Sequence, residues 1–233
     1  MHSDYFKRLY HDRPHEYERL VQHEDYQGNL LAALDRIYPL AGATVVEFGA
    51  GTGRLTRQVA PLAKWLWAFD LTPPMLKESQ HHLPSNQTNW RLGLADNRVM
   101  PLPPAVADVA VEGWSFLQLM VWQGDAWQRA GGQAISELLR VVRPGGMAIM
   151  IETLGTGAVE PVRAERFRLM YEYMEKDWGF TCTWIRTDFR FAARADIHQL
   201  IVPFFGKAVL DTLIESPQGI IVPECTGLWR RRV

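Results

Sequence analysis

Cysteine is scarce: 233 residues contain only two, Cys182 and Cys225. Neither has a CxxC partner, which argues against a zinc site and against a disulfide scaffold. A buried strand cysteine is the better account of both. No run approaches the ~18 apolar residues of a bilayer-crossing helix. The opening MHSDYFKRLYHDRPHEYERL is charged throughout and lacks the apolar segment of a secretory leader. Charge of one sign is not in excess either, since 25 Lys and Arg face 26 Asp and Glu, a formal net charge of −1. No global basic field would gather nucleic acid or an anionic membrane, and the run Arg230, Arg231, Arg232 is local. Internal repeats and low-complexity tracts are missing, which removes repeat architectures. No heptad pattern marks an oligomer interface. The expectation is a cytoplasmic protein with neither membrane nor nucleic acid as partner.

What is present is a core. Hydrophobic residues make up 47% of the chain and charged ones 22%, the balance of a folded domain. Residues 1–38 read as a helical lid, with a short helix started by Pro14 and a first core helix carrying Leu30, Leu31, Leu34 and Ile37 at helical spacing. Residues 39–233 read as the core. There ATVVEF, KWLWAFD, TNWRLGLA, ADVAVEG and MAIMIET are strand-like, and GRLTRQVAPLA, PPMLKESQHHL and WQRAGGQAISELLRVV are helix-like. Such alternation predicts a doubly wound α/β sandwich built on a parallel sheet. The last third changes character. Residues 160–177 read as one long helix, with Phe167, Met170, Tyr171 and Met174 on a shared face. TCTWIRTDFRF and GIIVPECTGLWRRR read as two long strands that would enlarge the sheet to seven.

In VVEFGAGTGRLT, Gly49, Gly51 and Gly53 allow a sharp turn whose N–H groups approach a ligand at a helix N-terminus. Asp70 closes the next strand, where a carboxylate can accept both ribose hydroxyls of a nucleoside. NAD and S-adenosylmethionine both satisfy these features. The dinucleotide fingerprint requires glycine at position 54, which is Arg here. Glu47 would repel a pyrophosphate but can face a cationic amino-acid end. The Gly-Lys-Ser/Thr of a phosphate loop is absent. Asp96, after the third strand, can accept a hydrogen bond from an adenine amino group, and Asn97 can add a contact.

In this order, VVEFGAGTGRLT, FDLTPPML, LADNRVMPLP, ADVAVEGWSF and ELLRVVRPGG resemble the successive motifs of class I S-adenosylmethionine-dependent methyltransferases, over roughly residues 43–155. The resemblance implies a Rossmann-like, seven-stranded, mostly parallel sheet whose last strand is antiparallel. It implies S-adenosyl-L-methionine as cofactor and S-adenosyl-L-homocysteine as product. It places Glu47, Gly49, Ala50, Gly51 and Gly53 at the methionine portion and Asp70 at the ribose. Leu71 and Met75 would lie beside the adenine, with Asp96 and Asn97 at its edge. Glu112, Gly113 and Trp114 would line the methionine side and the transfer site.

The acceptor is approached by exclusion. EGWSF after the fourth strand lacks the Asn/Asp-Pro-Pro-aromatic tetrapeptide used on amides and exocyclic amines. Cys182 follows Thr181 and Cys225 follows Glu224, unlike the proline-preceded cysteine of pyrimidine carbon methylation. No clustered Asp and Asn suggest a metal-dependent catechol site. An O, N or S nucleophile of a small molecule is the favoured acceptor. RNA or protein methylation, or binding of the cofactor for regulation alone, are the alternatives. An aromatic lid (Tyr5, Tyr10, Tyr17) would exclude water, with His11, His15 and Tyr17 as candidates for proton transfer. Trp114 is expected at the substrate, whereas Trp122 and Trp127 are expected to pack between helices. Glu152, ending the fifth strand, is expected to cap or ion-pair.

Overall fold

The computed structural model describes residues 2–83 and 86–233, with side chains from Phe6 onward. Tyr5, counted with the lid, has its side chain outside that set. Three N-terminal helices come first: α1 (His2–Asp12), α2 (Pro14–Val21) and α3 (Asn29–Ile37). The alternating core follows: β1 (Thr44–Phe48), α4 (Arg54–Val59), β2 (Trp65–Asp70), α5 (Pro73–His82), β3 (Trp90–Leu94), β4 (Ala107–Gly113), α6 (Phe116–Trp122), α7 (Trp127–Arg140) and β5 (Val142–Thr156). The last part holds α8 (Arg168–Glu172), β6 (Thr181–Arg186), β7 (Phe189–Phe191), α9 (Arg194–Leu200), α10 (Val202–Phe205), β8 (Ile214–Ser216), β9 (Gly219–Val222) and β10 (Glu224–Arg232).

The main sheet has seven strands in the order β3-β2-β1-β4-β5-β10-β6. The pairs from β3 to β5 are parallel, and β10 runs antiparallel to both β5 and β6. The inner strands are apolar on both faces because helices cover both faces. Val46 and Phe48 pack under α6 and α7, while Val45 packs against α3 and α4. The strand order reverses between β1 and β4, the switch point outside which ligands bind in open α/β sheets. Among the described residues no helix is long and apolar enough to cross a membrane.

Two expectations fail in the last third. Each of the long strand-like runs is cut in two. TCTWIRTDFRF divides at Thr187 and Asp188 into β6 and β7, and GIIVPECTGLWRRR divides at Pro223 into β9 and β10. The inner pieces leave the main sheet and pair with each other, and β9 also pairs with β8, in a second sheet ordered β7-β9-β8. Pro223 has no N–H for a ladder, and Asp188 Oδ1 takes the Glu224 N–H at 2.9 Å, so the chain turns there. The helix expected over 160–177 begins only near 165, with a tight turn, then α8, then a widened turn over Tyr173–Asp177. Its first residues are tied elsewhere: the Val162 N–H donates to the Leu154 carbonyl. The apolar stripe itself packs as expected, with Met170, Tyr171 and Met174 buried on the sheet and Tyr171 stacked on Trp229 at 5.3 Å.

The second sheet changes what the lid is made of. Leu9 of α1 and Leu20 of α2 share a hydrophobic cluster with Phe189, Phe191, Ile197, Leu200, Ile201 and Val222. The N-terminal helices and the 189–222 insert thus form one cap. By contrast, α3 belongs to the core cluster with Val45 and Leu66.

Candidate active site

The glycine turn leaves β1 at the switch point. Gly49, Gly51 and Gly53 have φ of 71°, 56° and 85°, in the left-handed region that side chains resist. A Cβ at Gly49 would collide with Ser115 Oγ, and one at Gly53 with Ser79 Oγ. At Gly51 a Cβ would make ordinary contact with Met75 Cε at 3.5 Å and Tyr17 Cε1 at 3.9 Å, so α2 and α5 close directly on this glycine. Gly49→Ala is therefore expected to cost about 2 kcal/mol of stability, from the left-handed backbone and the displaced Ser115. Urea denaturation checks this, and an unchanged midpoint would mean that the turn does not hold this conformation.

Asp70 organises the loop. Its Oδ2 accepts the Gly51 N–H and its Oδ1 the Thr72 N–H, both at 2.8 Å. The Thr72 hydroxyl and the Leu71 N–H also reach it, and burial raises the carboxyl above its usual range despite these donors. Met75 is buried beside the loop, whereas Leu71 is exposed. The Ala50 N–H is bound to the Phe69 carbonyl at 2.8 Å, fixing the turn to β2.

Other expected site residues are turned elsewhere. Glu47 is buried and its Oε2 accepts the Thr56 hydroxyl at 2.7 Å, under α4. Both oxygens of Asp96 are held by the Arg98 guanidinium, at 2.9 and 2.5 Å. Asn97 donates to Ser115 Oγ at 3.1 Å, behind Gly49. Glu112 caps the start of α6, its Oε1 accepting the N–H groups of Ser115 and Phe116. Gly113 has open space at its Cα. Trp114 does reach the cavity described below, and at φ 55° it adopts a backbone that a bulky residue rarely takes. That strain lays its ring over the Arg54 guanidinium at 3.6 Å.

Burial dominates the acids at the strand ends. It pushes Glu47 up to about 8 and Glu112 up to about 7. Glu152 is raised well above the usual value by burial and then by the Glu112 charge. Among the described residues no hydrogen bond is made to Glu112 Oε2. Glu112 and Glu152 face each other, and repulsion between them disfavours charge on both at once. The Glu47 shift has a signed consequence. Below the ordinary Glu value both folded and unfolded forms are protonated; between there and about 8 only the unfolded chain ionises, so stability falls as pH rises. Glu47→Gln is expected to flatten thermal stability between pH 5 and 8 relative to wild type. An unaltered pH profile would show that Glu47 titrates normally.

Above the turn lies the cap. Glu18 accepts the Thr52 hydroxyl at 2.5 Å and pairs with Arg57 at 2.8 Å, and Glu24 pairs with Arg54. Thus α2 and the segment after it are latched onto the residues flanking the glycine turn. Beneath the cap is a cavity of ≈ 490 Å³. Phe6, Tyr10 and Tyr17 line it from the N-terminal helices, Phe189, Phe204 and Phe205 from the insert, and Trp114 and Phe167 from the core side. Its polar lining includes Glu24, Arg54, Glu152, Thr153, Arg166 and Glu224.

Of the three proton-transfer candidates, only Tyr17 lines the cavity; His11 and His15 are exposed. Burial pushes Tyr17 up to about 12 and Tyr10 well above the usual phenol value, so both stay protonated near neutrality and keep an O–H to donate. Trp122 lies outside the lining against Tyr10, and Trp127 packs on Tyr173 at 5.4 Å. Glu152 does more than cap: it accepts the Leu117 N–H at 2.7 Å and also faces the cavity. Sequence reasoning missed Glu18, Glu24 and Glu224, whose partners are remote in sequence and leave no local pattern.

A family profile described as a methyltransferase domain matches residues 45–146, from β1 through the glycines after α7. The malonyl-[acyl-carrier protein] O-methyltransferase of Pseudescherichia vulneris is 36% identical over 130 residues, which is 56% of this chain and 45% of that protein. The chain thus spans less than half the length of that relative. An uncharacterized methyltransferase of Geobacillus kaustophilus is 25% identical over 189 residues, 76% of this chain and 82% of that one. Among solved structures, a SAM-dependent methyltransferase from Aquifex aeolicus superposes with a TM-score of 0.55 over 100% of both chains at 13% identity, a likeness of fold.

Proposed function

We propose that the chain is a class I S-adenosylmethionine-dependent methyltransferase and that it methylates an O, N or S nucleophile of a small molecule held in the capped cavity. The observation that carries this reading is the cap over the cavity. A cavity of ≈ 490 Å³ roofed by α1, α2 and the insert suits a small apolar body, whereas a polynucleotide or protein acceptor needs an open face.

The residues present fit the cofactor that the family uses. Gly51 leaves bare backbone beside Met75 and Tyr17, and Asp70 ends β2 as a buried carboxyl at the glycine turn. Asp70 would take the ribose hydroxyls, Gly49, Ala50, Gly51 and Gly53 the methionine portion, and Leu71 and Met75 the adenine. Asp96 and Glu47 would act indirectly, through Arg98 and Thr56, while Asn97 and Glu112 would support the turn from behind through Ser115. Bound there, S-adenosyl-L-methionine supplies a methyl group on a cationic sulfur, which leaves as neutral S-adenosyl-L-homocysteine when an acceptor lone pair takes the carbon.

The chain's own contribution is alignment and exclusion of water. Tyr10 and Tyr17 close the roof as hydrogen-bond donors, and Trp114 forms a rigid wall locked by Arg54. Glu152 and Glu224 are the lining carboxyls; burial raises both, and Glu224 can receive a proton from an acceptor once it ionises, near pH 8 and above. An assay of S-adenosylhomocysteine release across pools of small molecules, RNA and protein tests the reading. Release with small molecules is expected; release only with RNA or protein would overturn it.

A further inference from the structure

The charged groups around the cavity are unequally committed. Arg54 is spent within the protein, paired with Glu24 and stacked on Trp114. Arg166 is exposed, at 4.5 Å over Phe167. Glu224 differs from both. It lines the cavity, is 3% exposed, accepts the Thr153 hydroxyl on Oε1 at 2.9 Å and has the Thr156 hydroxyl beside it, while among the described residues no hydrogen bond is made to its Oε2. A buried, unpartnered carboxyl oxygen in an aromatic chamber is costly unless a ligand satisfies it.

We propose that the cavity binds an amphipathic amine, its aryl or alkyl body against the aromatic wall and its nitrogen on Glu224 Oε2. An ammonium gains a carboxylate partner there, and the faces of Tyr17, Trp114 and the phenylalanines attract a cation further. A ligand carboxylate would instead meet Glu24, Glu152 and Glu224, with Arg54 already neutralised. The cavity therefore disfavours a free carboxylate. That this amine is also the methyl acceptor rests on the function proposed above; its binding does not.

The proton count gives the proposal a signature. Glu224 is faced by Glu24 from the segment after α2, Arg54 from α4, Thr153 and Thr156 from β5, and Asp188 with its partner Arg186 from the turn after β6. Burial, then repulsion by Glu24, push Glu224 up to about 8, so it carries a proton at neutral pH. An alkylamine arrives as an ammonium. When the two meet, one proton leaves to solvent and one is shared between nitrogen and Oε2. When that shared proton rests on Glu224, the nitrogen lone pair is free. Affinity should then rise with pH from 6 to 8, by up to about tenfold per unit, as Glu224 loses its proton more readily.

Calorimetry of the full chain with tryptamine, tryptophol and indole-3-acetate, three ligands of one shape and different charge, tests this. The expected result is tryptamine binding at least about tenfold more tightly than tryptophol, with indole-3-acetate weakest. At pH 7, heats in phosphate and Tris buffers should differ by the release of about one proton. Glu224→Gln, checked for folding by thermal melting, should lose the preference for the amine and the proton release. Equal or tighter binding of tryptophol or indole-3-acetate, or a Gln variant that keeps the preference, would overturn the proposal. The wild-type series decides it even if the variant does not fold. An S-adenosylmethionine titration on the same sample separates the two readings: amine binding without cofactor binding would sink the methyltransferase function alone, and the reverse would sink the amine site alone.

Discussion

Asp70→Asn is expected to weaken S-adenosylmethionine binding about a hundredfold while leaving the protein folded. The carboxylate sits where β2 ends and holds the Gly51 and Thr72 N–H groups at 2.8 Å each. Asparagine keeps the volume but offers one acceptor, so at least one of these N–H groups faces an amide NH₂. The ribose hydroxyls would lose a charged acceptor at the same time. A hydrogen bond to a charged group is worth about 1.5–3 kcal/mol, and about 2.8 kcal/mol is a hundredfold in affinity. Thermal melting separates loss of fold from loss of binding. Wild-type affinity in the variant would mean that Asp70 has only a structural part in the turn.

The second large effect concerns the latch. Arg54→Ala is expected to destabilise the cap by about 3 kcal/mol, because it leaves Glu24 buried without a counter-charge. The side chains of Arg54 and Glu24 are 11% and 7% exposed, so solvent does little to screen the loss. Trp114 simultaneously loses the cation over its ring and the support for its left-handed backbone. The loss should be local. Hydrogen exchange is expected to quicken in α1 and α2, which rest on the turn through Glu18 and Glu24, while the amides of β1, β4 and β5 stay protected. Uniform loss of protection would show that the cap and the sheet unfold as one unit. Unchanged exchange throughout would show that the pair contributes nothing to closure.

The difference between these two residues marks what the sequence made legible. Asp70 lies at the end of a strand-like run and after a glycine turn, and both features are local, so its position was readable from spacing. The five core strands and three of the helices between them were readable for the same reason, as apolar runs separated by helical periods; α6, between β4 and α7, was not. Arg54 was noticed only as the residue that spoils a dinucleotide fingerprint. Its partner Glu24 lies thirty residues away, and its stacking on Trp114 depends on how β4 ends. The same limit explains the last third. Strand propensity ran through 181–191 and 219–232 without a break, yet Asp188 and Pro223 act together to divide both runs between two sheets. That division builds half of the cap and brings Glu224 to the cavity. His11 and His15 were candidates by chemistry alone, and helix phase turns both to solvent.

The central claim is that the turn at Gly49–Gly53, closed by Asp70 and roofed by α2, is a site for S-adenosylmethionine and its product. Calorimetric titration of the purified chain with S-adenosyl-L-homocysteine tests it most directly. The account predicts one equivalent bound per chain with micromolar affinity; no heat of binding at millimolar ligand, with the chain shown to be folded, would contradict it.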